Sequence, residues 1–284
     1  VAQDASTGQI LALVGSRDYF DTVNDGNFNV AAQGLRQPGS ALKPFIYVLA
    51  FKNGYTPETV VFDLPTEFDT TEIPENSYQP IDFDGSYRGP VSLRQALANS
   101  LNIPSVKLLY LVGIDETLRA AQSFGLTTLT ERGRYGLSLV LGGGEVKLID
   151  LVNAYAVLAQ NGIKRHQSLI LKVTSGVNRN KILEEFENKY SRVLEPEYAK
   201  IINDILSDGE ARRPIFGASL DLRSITDHQV AVKTGTSNDY RDAWTVGYTQ
   251  SLVVGVWAGN NNNEPMRRGE SVLAAAPIWR EFMG

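Results

Sequence analysis

The two ends of this chain are strand-forming and its middle is helical, and that division constrains the fold more than any other property of the sequence. Residues 1 to 15 read as a hairpin, with Val1-Ala2-Gln3-Asp4 turning through Ser6-Thr7-Gly8 into Ile10-Leu11-Ala12-Leu13-Val14. Near the other end, Val230-Ala231-Val232, Ala243-Trp244-Thr245-Val246-Gly247-Tyr248 and Leu252-Val253-Val254-Gly255-Val256-Trp257 read as three more strands joined by short polar turns. Five strands drawn from both termini suggest one mainly antiparallel sheet. Between them, apolar runs over 41–52, 92–99, 105–112 and 146–160 read as helices, the first closed by Asn53-Gly54 and the last by Asn161-Gly162. The predicted fold is therefore α+β, a five-stranded sheet sandwiched between helical layers. Residues 60 to 90 carry four Pro and read as an extended surface connection; residues 169 to 207 read as a small strand pair followed by a helix. No repeat or linker divides the chain, so residues 1–284 are expected to form one domain.

Composition removes several functions. An apolar share of 43% supports a substantial core, while 27 Lys+Arg against 32 Asp+Glu give a net charge of -5 with no cationic patch to follow phosphates, so no nucleic-acid partner is expected. Cys is absent, which rules out disulfides and thiolate nucleophiles. His166 and His228, the two histidines, lack metal spacing, and no Gly-x-Ser-x-Gly elbow supports a Ser-His-Asp triad. Gly142-Gly143-Gly144-Glu145 lacks the features of a phosphate cradle and reads as a tight loop entering a helix. No window reaches the roughly 18 to 20 apolar residues of a membrane span. The chain opens on Val1 rather than Met, so it is expected to be cut from a longer polypeptide that carries its anchor or leader elsewhere.

The chemistry concentrates in three short patterns. In Gln37-Pro38-Gly39-Ser40-Ala41-Leu42-Lys43-Pro44-Phe45, Pro44 suits the first turn of a helix that begins close to Ser40. Residues three apart share a helix face, so the Lys43 amine can reach the Ser40 hydroxyl, and desolvation by the surrounding apolar residues would lower its pKa and free a lone pair. Taken alone, Ser40 would be an ordinary helix cap with Lys43 reaching solvent. Ser100-Leu101-Asn102, held by Pro104, presents a hydroxyl and an amide from one corner: the Ser to relay a proton, the Asn to hold a substrate carbonyl or to steady the lysine. Alone, it too would be a helix cap. Lys233-Thr234-Gly235-Thr236-Ser237 continues a strand, with a Gly where another backbone approaches closely. A peptide-like substrate could lie along it, its carboxylate on Lys233 and the threonine hydroxyls, its carbonyl at the Thr236 N–H.

The ordered set Ser-x-x-Lys, Ser-x-Asn, Lys-Thr-Gly resembles the penicillin-binding transpeptidases and serine β-lactamases. The flanks "RQPGSALKPF", "YRGPVSLRQALANSLNIPSVKL", "LGGGEVKLIDLVNAYAVLAQNG", "VKTGTSNDYRDAWTVGY" and "VVGVWAGNNNNEPM" are similar to the transpeptidase domain of class A, bifunctional penicillin-binding proteins, nearly end to end. The resemblance implies a β-lactamase/transpeptidase-like fold and a D,D-transpeptidase that cross-links peptidoglycan stem peptides and is acylated by β-lactams. It implies Ser40 as nucleophile, Lys43 as its base, and Ser100 and Asn102 as proton relay and substrate holder. Lys233, Thr234, Gly235 and Thr236 would bind substrate, with the Ser40 and Thr236 N–H groups as oxyanion hole. It implies no metal or cofactor, D-Ala-D-Ala donor and amine acceptor peptides as partners alongside cell-wall assembly proteins, an extracytoplasmic location, and a membrane anchor and glycosyltransferase domain outside this chain. Two alternatives stand beside it. A class A β-lactamase or carboxypeptidase would need a base for water, and Glu116, Glu131 and Glu145 all fail the Glu-x-x-Leu-Asn pattern. A penicillin-sensing domain would keep the fold without turnover.

Overall fold

Residues 1–68, 78–176, 181–217, 229–267 and 269–284 are described by the computed structural model. From the N-terminus, strands β1 (Ala2–Asp4) and β2 (Ile10–Ala12) lead through a short helix α1 (Val30–Gln33) and a 3-10 turn, Gly39–Leu42, into α2 (Lys43–Lys52). A hairpin of β3 (Val60–Asp63) and β4 (Gly89–Ser92) precedes α3 (Leu93–Ala98), α4 (Asn102–Val112), α5 (Ile114–Phe124) and α6 (Leu148–Ala159). Then come β5 (Ile163–Arg165), β6 (Lys172–Thr174), β7 (Ile182–Glu185), β8 (Tyr190–Arg192), α7 (Pro196–Ser207) and α8 (Gly209–Phe216). The chain closes with β9 (Ala231–Thr236), β10 (Asp242–Tyr248), β11 (Leu252–Gly259), α9 (Ser271–Ala274) and α10 (Ala276–Met283).

The expected sheet is present. Its order is β2-β1-β11-β10-β9, antiparallel throughout, so the N-terminal hairpin joins strands more than 240 residues away through Ala2 opposite Val254. Period-two alternation gives it two buried faces. Val246 and Gly255, paired across β10 and β11, face α6, where a Cβ on Gly255 would lie 2.4 Å from Val152 Cγ2. Gly247 and Val254 face the opposite way, where a Cβ on Gly247 would lie 2.1 Å from the Trp279 ring of α10. The sheet is thus clamped between α10 and the larger helical layer.

At the centre of that layer lies α2. Nine of its ten residues, all but Lys52, are buried, as befits a helix that is apolar on every side. Phe45 stacks on Phe124 of α5 and edge-on to Tyr155 of α6, with ring centroids 5.1 and 5.3 Å apart. The helix stops at Asn53, whose N–H bonds the Leu49 and Ala50 carbonyls, before Gly54 at φ +92°.

Three expectations change. The third helix begins at Asn102 rather than Ser105, because Pro104 falls in its first turn, where no backbone N–H is needed, instead of ending the preceding turn. Residues 60 to 90 are not simply an extended connection: their ends pair as β3 and β4, and positions 69–77 lie outside the described residues. Helix α5, with Leu118, Ala121 and Phe124 buried on one face, was not expected at all. The strand pair and helix expected within 169–207 are β6, β7 and α7, while β8 pairs back to β5.

Candidate active site

The segment carrying Ser40 is gripped from three sides. Gly39 adopts φ +55°, and a Cβ there would lie 2.5 Å from the Thr236 carbonyl oxygen. On its other side Gly142, at φ +88°, sits so close that a Cβ would meet the Gly39 nitrogen at 2.1 Å. The glycine loop read from the sequence is thus a backbone brace. A Cβ on Gly235 would meet the Pro38 carbonyl oxygen at 2.1 Å, which is the close backbone approach the strand glycine predicts. Trp244, fully buried, donates its Nε1 proton to the Gln37 carbonyl at 2.7 Å, and the Tyr155 hydroxyl donates to the Ala41 carbonyl at 2.7 Å. Ser40 is left half-buried in a 3-10 turn, one turn before the α-helix proper.

Lys43 is fully buried and makes three hydrogen bonds. Its Nζ donates to the carbonyls of Ser100 and Leu101 at 2.6 and 3.0 Å and to Asn102 Oδ1 at 2.8 Å. The Ser40 hydroxyl is not among its hydrogen-bond partners, which corrects the expectation of a direct contact: the helix starts at Lys43, and the Ser-x-Asn corner supplies the acceptors.

That corner is shaped by a helix end. The Ser100 N–H bonds the Leu97 carbonyl and the Leu101 N–H the Ala96 carbonyl, the Schellman pattern that closes α3. Ser100 therefore holds the left-handed position, φ +60°, that usually falls to Gly. The capping role and the role expected from the motif fall on one residue. Its strained backbone aims the carbonyl at Lys43, while its Oγ accepts a hydrogen bond from Lys233 Nζ at 2.8 Å.

Lys233 lies on β9 opposite Val246, so its buried side chain enters the helical layer, where it also donates to the Thr234 carbonyl at 2.8 Å. Thr234 and Thr236 occupy the alternate positions on the other face of the strand. Thr234 is buried, and the Thr236 Oγ1 accepts from the Ser271 N–H at 3.2 Å. The three patterns, distant in sequence, thus meet around Ser100.

The whole chain, residues 1–284, matches the family described as penicillin binding protein transpeptidase domain. The chain belongs to that family. It is 35% identical over 293 residues to penicillin-binding protein 1A of Neisseria flavescens, covering all of this chain and 35% of that protein, so it spans about a third of that relative's length. Its fold resembles penicillin-binding protein 1A from Haemophilus influenzae, with TM-score 0.87 and 27% identity over 100% of this chain and 46% of the other. It also resembles PonA1 from Mycobacterium tuberculosis in complex with penicillin V, with TM-score 0.83 and 26% identity over 100% of this chain and 76% of the other. The class A resemblance and the β-lactamase-like fold are borne out.

In this transpeptidase domain the electrostatics of the corner follow from burial. Desolvation lowers Lys43 to about 7, opposed by the negative charge of Asp82. Lys233 is held well below the ordinary lysine range, first by burial and then by the charges of Lys43 and Arg212. Arg212 is itself buried, donating to the Leu206 and Val232 carbonyls and stacking 5.0 Å from the Phe216 ring centroid. Among the described residues no group of three His, Cys, Asp or Glu is placed to hold a metal. Glu116 pairs with Arg119 and Glu145 with Arg134, on the surface rather than at Ser40. His166 is exposed, and His228 lies outside the described residues.

Sequence patterns missed Asp82, Arg212 and the two anchors Tyr155 and Trp244. Trp244 stood in the sequence only as part of a strand, yet its indole N–H fixes the residue three places before Ser40. Tyr87 is exposed and Tyr78 packs against the core. Backbone acceptors for a side chain leave no mark on a sequence, and only the Asp84-Gly85 turn hinted that Asp82 sat near a reversal of the chain.

Proposed function

We propose that this domain is a serine D,D-transpeptidase that cross-links peptidoglycan stem peptides. One observation carries the reading: Ser100 receives Lys43 on its carbonyl and Lys233 on its hydroxyl, which joins all three motifs in a single hydrogen-bonded unit beside Ser40.

Ser40 Oγ attacks the carbonyl carbon of the penultimate D-Ala, giving its proton to Lys43, whose burial makes it a base near neutral pH. The oxyanion that forms is received by the Ser40 and Thr236 N–H groups, the first in a helical turn that leaves its leading N–H groups without intrahelical partners and the second at the end of β9. When the C–N bond breaks, the terminal D-Ala leaves as an amine with the proton passed through Ser100 Oγ. An acceptor amine from a neighbouring stem then attacks the ester carbonyl, restoring Ser40 and forming the new amide.

Asn102 steadies the lysine through Oδ1. Lys233, Thr234, Gly235 and Thr236 receive the donor's terminal carboxylate, which suits a strand backed by the buried guanidinium of Arg212, a donor to the Val232 carbonyl. A β-lactam, reacting in place of the terminal dipeptide, would leave Ser40 acylated, in keeping with the penicillin V complex of PonA1. A peptidoglycan substrate supports a position at the extracytoplasmic face of the bacterial membrane, as the transpeptidase part of a longer, anchored protein. Among the described residues no helix is long and apolar enough to cross a membrane.

Intact mass after a brief pulse of penicillin, followed over hours with Ser40→Ala as control, tests this. One persistent adduct on Ser40, followed by transfer to an added acceptor amine, is expected. Loss of the adduct within seconds would make the domain a β-lactamase. A stable adduct with no transfer to any acceptor would make it a penicillin sensor.

A further inference from the structure

The stretch read from the sequence as an extended surface connection, residues 60 to 90, delivers three charged side chains to the N-terminus of α4. Leu101 caps that helix without a side-chain hydrogen bond, so its first N–H groups need an acceptor from elsewhere. Asp82, buried, provides it: one carboxylate oxygen, Oδ1, accepts both the Asn102 N–H and the Ile103 N–H, the latter at 3.3 Å. The preceding residue holds the same asparagine by its side chain, the Ile81 carbonyl accepting Asn102 Nδ2 at 2.8 Å. With Nδ2 so engaged, Asn102 Oδ1 is left facing Lys43.

Behind Asp82 stands a second layer. The Asp63 carboxyl, also buried, stands close to Asp82, and Arg88 lies against both, its Nη1 3.4 Å from Asp82 Oδ2 and 3.8 Å from Asp63 Oδ2. Arg88 also donates its backbone N–H to Asp63 Oδ2 at 2.9 Å and pairs through Nη2 with Asp84 at 2.6 Å. Burial first and then Asp82 raise the Asp63 carboxyl to about 6, against the pull of Arg88. The other groups bearing on this cluster are Lys43 and Tyr47 on α2 and Lys107 on α4, whose Nζ donates to the Phe62 carbonyl at 2.6 Å.

We propose that Asp82 is a positioning residue for the transfer reaction, clamping the Ser100-Leu101-Asn102 corner from outside α4 and presenting a negative charge to Lys43. Asp82 makes no hydrogen bond to Ser40; it acts through Asn102, whose N–H it accepts. The inference rests on the transpeptidase reading for its consequence in turnover, but the influence of the Asp82 charge on Lys43 stands apart from it.

The test compares Asp82→Asn and Asp82→Ala with the wild-type domain. Asparagine keeps an acceptor for the two N–H groups and removes the charge; alanine removes both. The readouts are thermal unfolding, the pH titration of Lys43 followed by NMR at its labelled side-chain carbon, and the pH profile of penicillin acylation. With D82N, the Tm should stay near wild type while the Lys43 midpoint moves about one pH unit lower, carrying the acid limb of acylation with it. With D82A, the Tm should fall and acylation should slow by about tenfold or more even at its optimum. Should D82N not fold, Asp82→Ser, another neutral cap, takes its place. An unmoved Lys43 midpoint in the neutral variant overturns the proposal. Failure of the wild type to acylate at Ser40 would overturn the transpeptidase reading instead, and the Lys43 titration alone would then decide for or against Asp82.

Discussion

Lys233 Nζ, on β9, donates at 2.8 Å to the Oγ of Ser100, a residue held in a left-handed backbone conformation. A non-glycine residue there costs roughly 1–2 kcal/mol. Replacing Ser100 by Gly and by Ala removes the hydroxyl in both cases but relieves the backbone in one. S100G should therefore be more stable than S100A by about 1 kcal/mol, while both lose acylation at Ser40. Equal unfolding midpoints for the two variants would mean that the turn is unstrained.

Lys43 should set the acid limb of reactivity. Its proton is lost near pH 7, so penicillin acylation should rise with pH through that range and level off above it. Lys43→Ala should slow acylation by ~10²–10⁴-fold and abolish the limb. A variant that acylates at the wild-type rate would remove Lys43 from the mechanism.

The same burial has a stability signature of known sign. The folded value of about 7 lies below the ordinary 10.5, so the unfolded chain binds this proton more tightly. The penalty on folding is complete below pH 7 and fades as pH climbs towards 10.5. Lys43→Met, which cannot titrate, should show its largest relative stability at pH 7 and lose that advantage by a few kcal/mol towards pH 10. Urea unfolding at several pH values reads the slope, and parallel curves for the two proteins would contradict it.

Gly235 and Gly247 separate packing at the site from packing elsewhere. Gly235→Ala puts a methyl group against the Pro38 carbonyl and should cost about 1–3 kcal/mol while pushing the Ser40 turn away from β9, so that acylation falls sharply. Gly247→Ala meets Trp279 on the opposite face of the sheet. It should destabilise comparably and leave the acylation rate of the folded protein near wild type. The comparison fails if the two variants lose activity alike.

Much of this could be read from residues alone, for reasons that differ by element. The strands of the sheet were legible because short alternating runs between polar turns have few other uses, and α2 and α6 because long apolar runs ended at Asn-Gly. Helix α4 was misplaced at its start because a proline ends one helix and opens another with equal ease, and only the surrounding chain decides. Ser40, Lys43, Ser100, Asn102 and Lys233 were visible as motifs. What they do to one another was less so: Lys43 turns to the carbonyls of Ser100 and Leu101, and backbone carbonyls carry no residue type. Asp82 was invisible because its role depends on where a hairpin of exposed residues returns the chain, which no local pattern encodes.

The sheet that unites the two ends of the chain also dictates when the site can exist. Strand β1 is made first, but its neighbour β11 comes some 250 residues later, after every helix that flanks Ser40. During synthesis from the N-terminus, Ser40 and Lys43 emerge long before Lys233, which must arrive on β9 to engage the Ser100 hydroxyl. Contacts so far apart in sequence form late and slowly. If Ser40 is the nucleophile proposed above, the nascent chain carries it unarmed, and reactivity should appear only once the last strands have docked.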